Sequence, residues 1–243
     1  MDKINKTQLD IEKAEERGLI HRDYLSHVLR WNYALKFINY QSTILDIGCG
    51  DGFLSQVLYV NKKRPKLYTG IDIRFKAIRK MMNRPANFKK EGYVLDIRQR
   101  HFGEGRLDFY DVVTCFEVIE HFEPVYLDHV LEQTRLTLKP GGLMLLSTPN
   151  YNGKDKAANH IHEYTYPELI TELLKYFKVE KMIGTFASQK DILSVLTKEE
   201  RMVFDRIKGF LDSNLLSVVF ASNHPEHSRN ILYVCRKELK DES

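Results

Sequence analysis

The stretch Asp46-Ile47-Gly48-Cys49-Gly50-Asp51-Gly52 constrains this chain more than any other. It joins a short apolar run, 43–47, to a segment of helical pattern, 53–60. Glycines there let the backbone turn sharply and let a ligand approach the main chain closely. The free N–H groups at a helix start favour an anionic group. The strand-loop-helix rhythm then repeats. Strands are expected at 66–71, 93–95, 111–116 and 143–147, with helices at 75–82 and 125–138, and Lys139-Pro140-Gly141-Gly142 reads as a turn. Strands that are apolar along their length, alternating with helices, predict a parallel sheet covered on both faces. Right-handed crossovers then leave a doubly wound α/β layout.

The flanks are more helical. Residues 1–38 carry apolar side chains at roughly helical spacing with a break at Gly18, which suits an edge helix or a lid. A polar loop follows Asn150, then a helix at 166–176 and a strand at 179–183. An amphipathic helical insertion, 189–220, precedes a last strand at 231–235. It reads as a helical pair closing an apolar patch or a dimer face, or as an acceptor lid. One domain over 1–243 is expected, with 1–40 and 189–220 as helical additions.

Composition narrows the class. At 43% hydrophobic and 29% charged residues the chain is globular rather than disordered. No apolar run reaches the ~20 residues needed to cross a bilayer. The polar segment 1–17 reads as neither a signal nor a transit peptide, so a cytoplasmic location is expected. Cys49, Cys115 and Cys235 are far apart and odd in number, which argues against a disulfide framework or a zinc cluster and for a reducing compartment. The net charge of +4 permits nucleic acid or anionic substrates without demanding either. Within it, Lys62, Lys63, Arg64 and Lys66 form a small basic run that reads as a solvated loop.

Phe53 occupies the position of the third glycine in a dinucleotide fingerprint, which counts against NAD, and no Lys-Ser/Thr pair follows to make a P-loop. Asp72, 20 residues after Gly52, ends the second strand in Gly70-Ile71-Asp72-Ile73. A carboxylate there can accept hydrogen bonds from two ribose hydroxyls or cap a helix. Asp96 follows the third strand and can accept from an adenine amino group or serve as a plain loop residue. Phe116-Glu117-Val118-Ile119-Glu120-His121 follows the fourth strand, and Asn159-His160-Ile161-His162-Glu163-Tyr164 comes after the fifth. Ligands in open α/β sheets bind at the carboxyl ends of the strands. Carboxylate and imidazole donors of this kind suit Mg²⁺, Mn²⁺ or Zn²⁺. Glu123, Tyr126, Tyr151 and Tyr164 are candidate pocket residues.

The glycine loop, the acidic strand end and the Lys-Pro-Gly-Gly before a strand resemble class I S-adenosylmethionine-dependent methyltransferases over roughly 43–177. The resemblance implies a seven-stranded, mostly parallel Rossmann-like sheet with the last strand antiparallel. It implies S-adenosylmethionine contacts from Asp46, Gly48, Cys49, Gly50 and Asp51, from Asp72 and Ile73, from Asp96, and from Phe116 and Glu117. Glu-x-x-Glu-His, then Ser147-Thr148-Pro149-Asn150, then His160-x-x-Glu163-Tyr164-Thr165 is similar to two O-methylating branches. These are the ubiquinone-biosynthesis O-methyltransferases and the small-RNA 3′-terminal ribose 2′-O-methyltransferases. The likeness implies a divalent metal, Mg²⁺ or Mn²⁺, on Glu117, Glu120, His121 and His160, or a metal-free pocket shaped by the same side chains. His121, His160 and Glu120 are the implied catalytic residues. His162 stands where the RNA branch carries an aromatic. The expected acceptor is therefore a hydroxyl of a small molecule or sugar. A metal-dependent RNA ribose methyltransferase and a non-catalytic binding module of the same fold are the alternatives, and the oligomeric state is left open.

Overall fold

The computed structural model describes residues 22–99, 101–103, 105–154 and 156–239. The part of the leading helical segment before residue 22 lies outside the described residues. Helix α1 spans Arg22–Ala34 and runs into a single 3₁₀ turn, Leu35–Phe37. Then follow β1 (Thr43–Ile47), α2 (Phe53–Val60), β2 (Leu67–Asp72), α3 (Phe75–Asn83), β3 (Lys90–Val94) and β4 (Tyr110–Phe116). Beyond two 3₁₀ turns come α4 (Leu127–Thr137), β5 (Leu138–Pro149), α5 (Tyr166–Leu173) and β6 (Lys178–Phe186). Helices α6 (Gln189–Val195), α7 (Lys198–Ile207) and α8 (Ser213–Ala221) lead to β7 (Asn230–Arg236). The seven strands form one sheet in the order β3-β2-β1-β4-β5-β7-β6, with β3-β2, β2-β1, β1-β4 and β4-β5 parallel. The order reverses between β1 and β4, which makes the carboxyl ends of these strands the switch point where ligands bind.

The chain divides into two compact units. Among the described residues, the larger comprises Trp31–Met182 and 232–239. Its centre is β1 and β2, buried at every position, as strands covered on both faces must be. At the sheet edge, β3 (Lys-Glu-Gly-Tyr-Val) is partly exposed throughout, so it has no apolar run. It therefore begins three residues before the stretch expected from sequence. The Lys-Pro-Gly-Gly turn lies within the bounds of β5. Pairing shifts from Tyr110–Leu138 to Val112–Leu143, and Gly141, at φ +77°, absorbs the extra residues.

Among the described residues, the smaller unit comprises 22–30 and Ile183–Ile231. The expected helical pair at 189–220 is three helices. Ser188 caps α6, a Thr197–Glu200 capping box starts α7, and Asp212 caps α8. Ile192, Phe204, Leu216 and Phe220 form their own buried cluster, with the two phenyl rings edge to face at 5.3 Å. In the same unit Arg30 is buried and donates to Asn230 Oδ1 at 2.8 Å. Among the described residues, no helix is long and apolar enough to cross a membrane.

Candidate active site

The glycine loop leaves β1 and opens α2. Gly48 and Gly50 sit at φ +65° and +55°, where a side chain is strained. A Cβ on Gly48 would collide with the Val118 side chain arriving from the end of β4. Gly50 faces open space, the one atom within 4 Å of an added Cβ being an Arg74 guanidinium nitrogen at 3.7 Å. The turn is fixed from beneath, since Cys49 N–H donates to Ile71 C=O at 3.0 Å. Cys49 is buried, and burial pushes its thiol well above the ordinary range. Asp51 is engaged at the rim by Lys80 at 2.7 Å.

Asp72 ends β2 with its carboxylate turned back toward this loop. Gly50 N–H donates to Oδ2 at 3.0 Å, and Arg74 N–H donates to Oδ1 at 2.8 Å. The Arg74 guanidinium also donates to both carboxylate oxygens, at 3.1 and 3.3 Å. Its two N–H groups thus sit where a vicinal diol would donate. Arg74 is 64% exposed, so it is free to swing away. Ile73 projects beside it, exposed. Asp96 lies in the turn after β3, where Arg98 donates to it from its backbone and its guanidinium, at 2.7–3.0 Å. Those bonds hold the Asp96 carboxyl below its usual range.

Asp46 faces inward from β1. Tyr68 donates to its Oδ2 at 2.5 Å and Thr114 to its Oδ1 at 2.7 Å. Burial raises its carboxyl to about 6, against the lowering effect of those two bonds. Both carboxylate oxygens are therefore engaged within the sheet.

The acidic-histidine residues come from two chain segments. Phe116, half-buried, ends β4, and Glu117 follows at φ +57°. Glu117 N–H donates to Ser147 C=O at 2.9 Å, and Ser147 Oγ donates to its carboxylate at 2.8 Å. Glu120 and His121 lie in the 3₁₀ turn Ile119–His121. Glu120 is fully buried and accepts from Thr148 Oγ1 at 3.1 Å. Its backbone carbonyl accepts from the N–H groups of Ile161 and His162, at 2.8 and 3.2 Å, which ties the second segment to the first. The His121 and His160 rings meet edge to face at 5.0 Å. One donor atom from each of Glu120, His121 and His160 lies within 4.8 Å of the other two. The site thus unites three of the four residues expected as metal ligands. Glu117 is not in this cluster, because β5 passes beside it and supplies Ser147.

The outer partners of the two imidazoles suit a metal. His121 Nδ1 lies 3.1 Å from Asn159 C=O, and His160 Nδ1 lies 2.6 Å from Glu163 Oε1. Glu163 is buried and also accepts from Ala157 N–H at 3.1 Å. A carbonyl or carboxylate on one ring nitrogen fixes the tautomer and leaves the other nitrogen as a donor to a cation. Burial lowers the His121 pKa, aided by His160 and opposed by the Asn159 bond, so this imidazole is neutral at neutral pH. Two imidazoles and one carboxylate fit Mn²⁺, Zn²⁺ or, with water completing the shell, Mg²⁺. Sequence reasoning quoted Glu163 without a role; its i,i+3 spacing from His160 was the available signal. Asn159 and Arg74 carried none.

On the same loop, His162 and Tyr164 line an open cavity of about 650 Å³ with Val125, Leu127, Asp128 and Glu168. The Tyr164 hydroxyl is buried and has no hydrogen-bond partner among the described residues. Burial pushes its pKa up to about 12.

This sheet order, with a glycine loop after β1 and an acid ending β2, defines the Rossmann-like methyltransferase fold. A methyltransferase domain family matches residues 20–187, and the chain belongs to that family. A ubiquinone biosynthesis O-methyltransferase of Nitrosomonas europaea is 33% identical over 132 residues, 52% of each chain. The chain spans about half the length of the curated relatives it matches. In fold it is similar to a SAM-dependent methyltransferase from Archaeoglobus fulgidus, with TM-score 0.60, 15% identity, and coverage of 93% of this chain and 98% of that one. A second such enzyme, from Methanosarcina mazei, gives TM-score 0.57 at 17% identity over 86% of this chain and 98% of its own.

Proposed function

We propose that the protein transfers the methyl group of S-adenosylmethionine to a hydroxyl oxygen of a small molecule or sugar, at a centre built on Glu120, His121 and His160. The observation that carries this reading is that these three residues converge after β4 and β5, at the same carboxyl edge as the glycine loop and Asp72. The named relative methylates oxygen, which agrees with it.

The open face at Gly50 accommodates the methionine portion of the cofactor against bare backbone. Asp72 accepts the ribose hydroxyls once Arg74 swings off it. Ile73 and Asp96 flank the adenine, and Asp46 supports the loop from below through Tyr68 and Thr114. When bound, S-adenosylmethionine supplies a methyl group on a sulfonium sulfur, which leaves with the bonding electron pair as the C–O bond forms. The protein's part is to hold the acceptor oxygen in line and exclude water.

Glu120, His121 and His160 would hold a divalent cation, Mg²⁺ or Mn²⁺, whose chemistry is to lower the pKa of an adjacent hydroxyl. The Glu163 carboxylate aligns the His160 ring through its Nδ1. A second, metal-free reading rests on that same 2.6 Å contact, because an imidazole oriented by a buried carboxylate is a general base. Labelled S-adenosylmethionine offered with catechols, monosaccharides and nucleosides, with EDTA or with Mn²⁺, tests both readings. Label on oxygen supports methyl transfer, and its loss in EDTA selects the metal. Label on nitrogen or carbon alone, or on no acceptor, contradicts the proposal.

A further inference from the structure

We propose that the outer face of α3 and the α2–β2 connection form a docking surface for single-stranded nucleic acid. Between residues 62 and 90 the chain carries eleven Lys and Arg and one acidic residue, Asp72. The rest of the chain carries 26 and 32, so the protein's positive charge is concentrated in this stretch.

The fold places it on one surface. The parallel order β3-β2-β1 and right-handed crossovers put α2 and α3 on the same side of the sheet. Contacts between them agree: the Arg84 guanidinium lies over the Phe53 ring at 4.3 Å, and Lys80 pairs with Asp51. Ala77, Ile78 and Met81 turn α3's apolar side inward, and Lys76, Arg79 and Lys80 recur at helical spacing on its outer side. Several cations have structural duties. Lys90 closes the end of α3 by donating to the Met81 and Arg84 carbonyls, Lys63 donates to Ile38 C=O, and Lys89 pairs with Glu91. Lys62, Arg64, Lys66, Lys76 and Arg79 are exposed and, among the described residues, have no such duty.

Charge complementarity selects a polyanion. Exposed aromatic rings among these cations select nucleic acid over a lipid surface. Phe75 and Tyr59 are 66% and 41% exposed, at the first turn of α3 and the last turn of α2. Interleaved cations and aromatic faces are how sequence-tolerant single-strand binders hold backbone and bases. The stripe ends at Arg74, beside the glycine loop. This proposal rests on surface charge and exposed aromatic rings and is independent of the methyl-transfer chemistry.

The test is fluorescence anisotropy of labelled single-stranded RNA and DNA 20-mers with the full chain over a salt series. Five phosphate contacts predict a slope of log K against log salt of about −3.5. A K76E/R79E variant, checked for its fold by circular dichroism, should bind at least tenfold more weakly. Charge reversal at exposed Lys198, outside the stripe, should not matter, and Glu120→Gln should bind as the parent does. Failure of methyl transfer with oligonucleotide binding intact would overturn the catalytic reading alone. Absence of oligonucleotide binding at low salt, equal affinity for K76E/R79E, or binding confined to phosphatidylserine vesicles would overturn this proposal.

Discussion

His160 Nδ1 lies 2.6 Å from the buried Glu163 carboxylate, so the ring that faces Glu120 and His121 is held from behind by an acid three residues along the same loop. If that bond orients a metal ligand, Glu163→Gln should weaken Mn²⁺ binding about 10- to 100-fold while the chain stays folded. Mn²⁺ titration followed by electron paramagnetic resonance reads this directly. Unchanged affinity would remove Glu163 from the support of the metal, and no Mn²⁺ binding by the parent chain would remove the metal from the site.

Arg74 covers Asp72 through an ion pair that is largely exposed on the arginine side. Such pairs contribute about 0.2–1 kcal/mol. Arg74→Ala should therefore tighten S-adenosylmethionine binding by up to about fivefold and barely alter thermal stability. Weaker binding in that variant would mean that Arg74 contacts the cofactor rather than competing with it.

Asp46 is an acid whose folded pKa, about 6, lies above its ordinary unfolded value. The folded state binds the proton more tightly, so this group favours folding at low pH. That contribution is lost as pH rises from about 4 through 6 and amounts to about 3 kcal/mol. Asp46→Asn should flatten this part of the stability profile in urea unfolding at pH 4 to 8. An unchanged profile would place the titration elsewhere.

A methyl group on Gly48 would meet Val118 and would sit at positive φ. Gly48→Ala should lower stability by about 2 kcal/mol or more, of which about 1–2 kcal/mol is the backbone cost. Adding Val118→Ala should recover the steric part and leave the backbone part. Denaturant melts of the two single variants and the double variant measure the coupling.

Tyr164 keeps a buried hydroxyl without a hydrogen-bond partner among the described residues. Tyr164→Phe should be neutral or stabilising by about 1 kcal/mol. If the hydroxyl meets the acceptor, KM for that acceptor should rise while S-adenosylmethionine affinity holds. A clear loss of stability would show that the hydroxyl is satisfied within the fold.

The alternation of strand and helix and the glycine loop were legible because local pattern carries them: β1 and β2 are apolar runs, and the positive-φ sites are glycines. Legibility failed where distant chain decides. That β5 begins at Leu138 depends on pairing across a bulge with β4, which Pro140-Gly141-Gly142 disguises as a turn. Glu117 was grouped with Glu120 by spacing, yet Ser147, thirty residues on, takes its carboxylate. The break of 189–220 into three helices was written in Thr197-x-x-Glu200 and Asp212, cap signals that the amphipathic pattern overshadowed. Strand-end logic brings His121 and His160 to one cleft, and their rings meet edge to face at 5.0 Å. Of the atoms that orient them, the Glu163 carboxylate is signalled by its i,i+3 spacing from His160, and Asn159 C=O emerges only from the folded loop.

Isothermal titration of S-adenosylmethionine, and of its demethylated product, into the parent chain and Asp72→Ala tests the cofactor cradle most directly. One molecule should bind per chain, with affinity at least tenfold lower in the variant. No heat with either compound, or equal binding by Asp72→Ala, would contradict the cradle at Asp46–Gly52 and Asp72 and the methyl-transfer chemistry built on it.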